Sequence, residues 1–233
     1  MNILPKKTTT IYWSYGNEYQ IRAEEPVSVI QNYFKNKDPD EYEYIRCPSF
    51  REHYKNTFGL KSPFEFDLTW DGDSASTNLR NQEFYDEIFY VRNYKSRNAS
   101  LFYKYFFITD EPLEMEYISS SLENNDFNKY AYLVNGKFDI GKYVRPLDCA
   151  FHTRGDKFRI DEGDIYAYVR FKTDNKIKFK EFLWNDDIQR STLGQTITAH
   201  RKWNYKPLQW FYDKQARMKM HERTLKLVKQ SLL

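Results

Sequence analysis

The sequence predicts a mainly β fold, either a β-sandwich or a jelly-roll or β-clip-like barrel, followed by a basic C-terminal helix. Apolar residues occupy every odd position of Ile165–Phe171 and every second position of Lys176–Lys180. This period of two is typical of strands with one buried face. The chain also has 20 Tyr and 18 Phe but only 8 Gly, and bulky flat side chains favour strands. We place a β-rich domain at residues 8–183 and a helical extension at residues 184–233.

The N-terminal part of the chain is predicted to hold strands and short helices. Residues 9–15 form the first predicted strand. Pro26 opens a short helix or an extended segment, and a second short helix is predicted over Ser49–Thr57, directly after a proline. Apolar residues at every even position of Phe64–Trp70 predict a clear strand, and Asp71-Gly72-Asp73 predicts a tight turn after it.

The middle of the chain is predicted to alternate between strands and polar turns. Ile88–Val91 and Ser100–Ile108 read as strands, and the second is so continuously apolar that we expect it in the centre of a sheet. Further strands are predicted over Glu114–Ile118, over Val144–His152 with a break at Pro146, and over Lys157–Ile160. A long polar loop covers residues 119–130, and Gly163 supplies an unusual backbone angle in the turn before Ile165–Phe171.

The two alternating strands are predicted to form a hairpin across Thr173-Asp174-Asn175. One face of that hairpin would then carry basic and aromatic side chains together, namely Tyr166, Tyr168, Arg170, Lys172, Lys176, Lys178 and Lys180. Such a face can bind single-stranded nucleic acid by base stacking and phosphate contacts. The alternative, which we favour, is that outward lysines keep the strand soluble and protect an edge from mispairing.

The C-terminal segment is predicted to be one long basic helix, from Pro207 to about Ser231. Between Asp213 and Leu233 there are six Lys or Arg and two acidic residues. Four apolar residues recur on the predicted helix at intervals of seven: Phe211, Met218, Leu225 and Leu232. This narrow stripe indicates either a helix laid across its own domain or an arm that docks on a partner subunit.

The sequence lacks the motifs that common catalytic and metal sites require. It has no His-x-His or His-Glu-x-x-His pair, no Gly-x-Ser-x-Gly elbow and no phosphate-binding Gly-rich loop. Cys47 and Cys149 match no metal spacing and are predicted to be buried, reduced thiols. His152 is suggestive as a ligand only because Asp156 follows four residues later. We therefore predict no catalytic residues, no metal and no cofactor.

Charge and hydropathy leave nucleic acid as a possible but not favoured partner and predict no membrane association. The net charge of +3 is too small to demand a polyanionic partner. No apolar run approaches the roughly 20 residues that span a bilayer, and the N-terminal residues lack the apolar core of a secretory signal. We therefore expect a protein that is neither secreted nor bound to a membrane.

Two stretches of the chain carry a resemblance to a known family. The first is Ile45–Arg51 (IRCPSFR) followed by Ser62–Leu68 (SPFEFDL), and the second is Phe158–Phe171 (FRIDEGDIYAYVRF). In this order and spacing they resemble a family of uncharacterised proteins of T-even-like tailed phages, many of them marine, over roughly residues 10–185. The resemblance implies a soluble, β-rich phage protein in the host cytoplasm or the virion, and it assigns no functional residues.

The function expected from this resemblance and from the missing motifs is binding. We expect a non-catalytic structural or accessory component of the virion, with other phage or host proteins as partners and an oligomer left open. One alternative is an intracellular effector that binds a host protein or nucleic acid. The other is a β-barrel enzyme with a degenerate metal or nucleotide site. Phe158–Phe171 is also similar to a strand of trimeric nucleotide diphosphohydrolases and cupin-like barrels. The chain has neither the Asp-Tyr-Arg-Gly loop nor the His-x-His cluster of those enzymes, so this similarity is one of strand–turn–strand geometry.

Overall fold

The computed structural model describes residues 7–16, 22–36, 46–71, 73–79, 88–101, 104–192 and 208–233, except for the side chains of Phe34, Asn36 and Leu208. The described chain is mainly β with a helical C-terminal part, which confirms the predicted fold class. The strands are β1 (Thr8–Tyr15), β2 (Val27–Ser28), β3 (Thr57–Lys61), β4 (Phe66–Asp71), β5 (Ser74–Thr77), β6 (Phe89–Asn93), β7 (Asn98–Leu101), β8 (Tyr105–Thr109), β9 (Glu114–Ser119), β10 (Ala131–Leu133), β11 (Gly136–Asp139), β12 (Cys149–Thr153), β13 (Lys157–Ile160), β14 (Ile165–Phe171) and β15 (Lys176–Glu181). The helices are α1 (Val29–Asn36), α2 (Pro48–His53), α3 (Asp126–Tyr130), α4 (Asp186–Thr192), α5 (Leu208–Arg217) and α6 (Met220–Gln230).

The strands assemble into sheets with the orders β15-β1-β8, β10-β12-β7-β6, β11-β9-β14-β3-β2 and β13-β4-β5. None of these sheets closes into a barrel within the described residues. A large apolar cluster takes side chains from all of them, so the fold is sandwich-like and the barrel alternative is wrong. The parallel pairing of β15 with β1 brings the two ends of the β-rich part together, while the other strand pairs are antiparallel.

Aromatic side chains hold the sheets face to face. In β4 the predicted alternation is confirmed, because Phe66, Leu68 and Trp70 are buried while the residues between them are half-buried. The ring of Phe107 on β8 meets the ring of Phe171 on β14 at 5.9 Å in an edge-on arrangement. This contact joins the β15-β1-β8 sheet to the five-stranded sheet, and edge-on aromatic pairs add to the gain from burial.

The prediction of one central strand over Ser100–Ile108 is wrong. The structure places β7 and β8 in different sheets, and Lys104 between them has φ of 46°, a left-handed conformation. The continuous apolar pattern arises because both strands are buried, as Leu101 at the end of β7 and Tyr105 at the start of β8 show. Periodicity alone does not reveal where a chain leaves one sheet for the next.

The predicted hairpin of β14 with β15 is also wrong. β14 pairs with β3 and β9 in the centre of the five-stranded sheet, whereas β15 pairs with β1. The intervening turn is bound to Asn56, whose side-chain amide donates to the carbonyl oxygens of Thr173 and Asn175 at 2.7 and 3.0 Å. The chain therefore crosses from one sheet to the other at this turn.

The C-terminal helix is divided in two, so the prediction of one continuous apolar stripe is wrong. Lys219 has φ of 53°, which ends α5 and starts α6 in a new direction. Phe211 is buried on α5 and Leu225 is half-buried on α6, but Met218 is 45% exposed and Leu232 is 38% exposed. A spacing of seven keeps residues on one face only while the helix is unbroken.

The buried face of α6 packs on its own domain. Val228 is fully buried in a cluster with Tyr12, Phe106 and Phe182, which come from β1, β8 and the end of β15. Thr224, one turn earlier on the same face, is buried as well. This arrangement corresponds to the alternative of a helix laid across its own domain. The boundary predicted between residues 183 and 184 stays a prediction.

Several local predictions have clear outcomes. Gly163 takes φ of 86°, as predicted. The helix predicted to reach Thr57 ends at His53, because Thr57 already begins β3. Cys47 is exposed, against the prediction of burial, whereas Cys149 is buried. The predicted polar loop at 119–130 ends in α3. The turn glycine Gly72, the predicted helix start Pro207 and much of the segment 183–203 lie outside the described residues.

Candidate protein-binding groove

A groove of about 980 Å³ runs beside β15. One wall is β15 itself, and the opposite wall is the segment 22–35, which contains β2 and most of α1. Among the described strands, β15 is the edge of its own sheet and β2 is the edge of the five-stranded sheet. The groove therefore lies where the edges of two packed sheets face each other.

The backbone groups of β15 point alternately toward β1 and toward the groove. The amides of Lys176 and Phe182 donate to carbonyl oxygens of the neighbouring β1 segment at 2.9 and 3.1 Å, so the even-numbered residues bond to β1. The amide and carbonyl groups of Ile177 and Phe179 point away from β1, and no backbone partner for them occurs in the described part of the chain. An unpaired edge of this kind is a template for a further strand.

The far end of the same edge already carries a short strand from the C-terminal segment. Two backbone hydrogen bonds, of 2.8 and 3.2 Å, join residues 231–233 to residues 181–183. Between them Leu232 forms an antiparallel bridge with Phe182. This edge of the sheet is therefore geometrically able to accept an antiparallel partner, and the pairing stops before it reaches Phe179.

Part of the groove surface is apolar, while charged and polar side chains line the rest. Ile177 and Phe179 turn their side chains inward, and the ring of Phe179 packs edge-on against Phe58 at 4.9 Å. Val27 and Ile30 line the opposite wall and are only half-buried. An apolar side chain that entered between these walls would leave water, which contributes about 25 cal/mol per Å² of apolar surface.

Trp13 adds a hydrogen-bond donor to the lining of the groove. The residue is 2% exposed, and its indole N–H has no acceptor among the described residues. Buried donors in proteins are nearly always paired. A carbonyl or carboxylate oxygen of a ligand would accept this hydrogen bond. The groove therefore favours a ligand with acceptor oxygens, such as a peptide, over a purely apolar ligand.

The charges on β15 are separated by face. Lys176, Lys178 and Lys180 are exposed, and none of them makes an ion pair with a residue that the structure describes. The register with β1 places Lys180 beside Tyr12, so the lysines stand on the face that carries α6. Ile177, Phe179 and Glu181 stand on the opposite, inward face.

An acidic pair marks one end of the groove. Glu25 and Glu181 both contribute to its lining. Partial burial, and next the negative charge of Glu181, raise the pKa of Glu25 above its ordinary value. A ligand that brought a further carboxylate to the inward face at this end would meet like charge. At this end of the groove the inward face therefore disfavours acidic groups, while the lysine face of β15 favours them.

The predicted basic and aromatic face does not form. Tyr166 and Tyr168 are almost fully buried, because β14 is a central strand that is covered on both faces. The hydroxyl of Tyr168 donates to Glu123 at 2.7 Å, and burial raises the pKa of this tyrosine. Neither ring is accessible for stacking on a nucleic-acid base.

The basic residues of that prediction are divided between two sheets. Arg170 and Lys172, at the end of β14, approach the carboxylate of Glu116 on β9 at 3.5 and 3.0 Å. The three lysines belong to β15, and of these Lys176 and Lys178 line the groove. The apolar residues of the predicted helix stripe do not contribute to this lining.

The hydrogen-bond partners of His152 that the structure describes are neutral groups. Its ring lies 2.9 Å from the side-chain amide of Asn98, 3.3 Å from the carbonyl oxygen of Ser96, and is stacked on Tyr132. Among the residues that the structure describes, no three His, Cys, Asp or Glu side chains gather as a metal site. Burial raises the pKa of the Cys149 thiol, which keeps this cysteine in its unreactive form.

Sequence reasoning missed the groove. The alternation of β15 identified the lysines and showed that Ile177 and Phe179 face inward. It did not show that their backbone groups would stay unpaired, because strand partners are set by contacts distant in the sequence. Nothing local in the segment 22–35 indicates that Val27 and Ile30 lie opposite β15.

Comparison with known proteins gives no assignment. The chain matches no model of a known protein family, and a search of curated proteins finds no relative. Among the described helices, none combines the length and the apolar character needed to cross a bilayer. The phage resemblance therefore stays a prediction, and the geometry of the groove is the main guide to function.

Proposed function

We propose that this protein acts without catalysis, by binding a segment of another protein in the groove beside β15. One observation carries the proposal: the edge of β15 at Ile177 and Phe179, unpaired within the part of the chain that the structure describes, faces the half-buried apolar side chains of Val27 and Ile30. Edges of this kind bind extended peptides through backbone hydrogen bonds, while the flanking wall receives alternate side chains.

Site-specific photocrosslinking tests the groove as the binding site. Gln31 is exposed on the groove wall, and Lys95 is exposed in the turn between β6 and β7, away from the groove. A benzoylphenylalanine at position 31, but not at position 95, is expected to crosslink a defined partner that also binds when both proteins are purified. Equal crosslinking from the two positions, or none from the groove in the presence of that partner, would overturn the assignment.

The phage resemblance extends the proposal to a location. We propose that the partner is a phage or host protein and that this chain is a structural or accessory component of the virion. Quantitative mass spectrometry of purified particles is expected to find the protein at a constant number of copies per particle. If the protein occurs only in the soluble fraction of infected cells, the intracellular effector replaces the virion component.

A further inference from the structure

We infer that the groove takes an extended peptide in which acidic and apolar residues alternate, and that this peptide adds as a strand to the outer edge of β15. The inference rests on the proposed function, because it names the chemistry of the segment that the groove would bind. Three features of β15 carry it. Among the described residues, its outer backbone groups at Ile177 and Phe179 have no strand partner and its three lysines have no ion pair, and Ile177 and Phe179 make its inward face apolar.

The backbone of β15 fixes the conformation of the ligand. Ile177 and Phe179 together offer two amide donors and two carbonyl acceptors to the groove, two residues or about 6.8 Å apart along the strand. An extended peptide repeats its own donors and acceptors at the same interval, whereas a helix has none to spare. The antiparallel bridge between Leu232 and Phe182 shows which direction the neighbouring part of this edge already accepts.

The lysines fix the charge on one face of the ligand. In a paired strand, residues directly opposite each other have Cβ atoms about 4.5–5.5 Å apart on the same face. Side chains of the added strand would therefore lie beside Lys176, Lys178 and Lys180, which have no ion-pair partner among the described residues. Acidic residues at alternate positions neutralise these lysines, and basic residues there would be repelled.

The inward face fixes the residues between the acidic ones. Their side chains would enter beside Ile177 and Phe179 and opposite Val27 and Ile30, where apolar groups are removed from water. Glu181 stands on this inward face, so an acidic residue at an inward position would meet like charge. The two faces of β15 therefore select an alternating pattern and not merely a negative net charge.

Synthetic peptides test the pattern directly. The probe is a capped, fluorescein-labelled peptide of about eight residues in which Glu alternates with Val, with binding to the full chain followed by fluorescence anisotropy. One control has the same composition with the Glu and Val residues in two blocks, and another replaces each Glu by Lys. We expect saturable binding by the alternating acidic peptide, and binding about tenfold weaker or worse by both controls.

Backbone methylation separates strand addition from nonspecific attraction. In an added strand only alternate amides of the peptide point at β15. N-methylation of the amides of one parity should abolish binding, while methylation of the other parity should leave binding within about twofold. Equal sensitivity of both parities, or of neither, would overturn strand addition.

Protein variants test the two faces of β15. The double change Lys176→Glu and Lys178→Glu should weaken binding of the acidic peptide about tenfold or more, whereas Lys95→Glu should change it less than about twofold. Ile177→Pro removes a groove-facing amide without removing a bond to β1, and should abolish binding more completely than Ile177→Ala. Circular dichroism and melting curves must show that each variant is folded before its binding is compared.

The result also separates this inference from the proposed function. If a partner crosslinks from position 31 but the alternating peptide fails to bind, or binds no better than the blocked peptide, the strand-addition chemistry is wrong and the groove remains the binding site. If neither the partner nor the peptide engages the groove, both proposals are wrong. Tighter binding of the lysine peptide would overturn the inferred charge of the ligand.

Discussion

The packing of α6 on its own domain makes a quantitative prediction for Val228→Ala. Val228 is fully buried among Tyr12, Phe106 and Phe182. Its replacement by Ala removes two methyl groups, worth about 0.8 kcal/mol each in transfer from water. A further contribution comes from the cavity that the surroundings cannot fill. We therefore expect the free energy of unfolding to fall by about 2–3 kcal/mol.

Met218→Ala is the matched control for this change. Met218 belongs to the predicted stripe but is 45% exposed at the break between α5 and α6. Its replacement should change the free energy of unfolding by less than about 0.5 kcal/mol. The two variants thus compare Val228, on the helix face that the structure buries, with Met218, on the face that the seven-residue spacing predicts to be buried.

Urea denaturation followed by tryptophan fluorescence measures both variants. The midpoint for Val228→Ala should fall without a change in the dependence on urea, and its melting temperature should fall by about 5–10 °C for a chain of this size. A loss below about 0.5 kcal/mol for Val228→Ala would show that α6 is not part of the cooperative fold. A larger loss for Met218→Ala than for Val228→Ala would show that the buried face is assigned incorrectly.

Three further changes test separate parts of the structure. Gly163→Ala places a Cβ at φ of 86° and should lower the free energy of unfolding by about 1–2 kcal/mol; an unchanged urea midpoint would contradict the left-handed turn. Arg92→Met removes the guanidinium group that forms an ion pair with the Asp148 carboxylate at 2.8 Å, where the Asp148 side chain is 8% exposed. The free energy of unfolding should fall by about 2–3 kcal/mol in the same assay. A loss under about 0.5 kcal/mol would refute the pairing. Burial, and next the charge of Glu181, raise the pKa of Glu25, so folding favours its protonated form, and this stabilisation is lost as pH rises through the folded pKa. Glu25→Gln should therefore raise the melting temperature at about pH 7 and lose this advantage below about pH 4; thermal scans that show the opposite trend would refute the sign of the shift.

Strands with one apolar face were predictable because the alternation of apolar and polar residues shows which side chains face the core. Phe66, Leu68 and Trp70 alternate with polar residues, and the structure buries these three on one face of β4. Ile177 and Phe179 face inward for the same reason. In each case the period of two fixes the orientation of the side chains without any knowledge of the neighbouring strands.

The environment of β14 was not predictable from its pattern. Tyr166 and Tyr168 look like an outward, polar face when they are read beside Arg170. They are buried because β14 has a strand on each side and a covered surface on each face. The Tyr168 hydroxyl can be buried because Glu123, from a loop distant in the sequence, accepts its hydrogen bond. The sequence around Tyr168 gives no indication of this hydrogen-bond partner.

The groove was hidden for a related physical reason. A strand forms the edge of a sheet when no other strand pairs with one of its sides. The local sequence pattern does not show which side of a strand stays unpaired. The lysines of β15 were read correctly as outward residues, but their hairpin partner was wrong. The segment 22–35 became a wall only through the pairing of β2 with β3, which brings Val27 beside Gly59.

The lysines of β15 can both protect the strand edge from pairing with a second copy and favour the binding of an acidic strand at that edge. If two copies of β15 paired in antiparallel fashion about a twofold axis normal to the sheet, lysines of one copy would lie beside lysines of the other. Like charges directly opposite each other are destabilising, so Lys176, Lys178 and Lys180 oppose this self-association. The same repulsion acts on any basic strand, and it becomes attraction for an acidic one. In the proposed mode of binding, the three exposed lysines therefore have two effects. They keep the edge of β15 from pairing with other strands indiscriminately, and they select a strand with acidic residues at alternate positions.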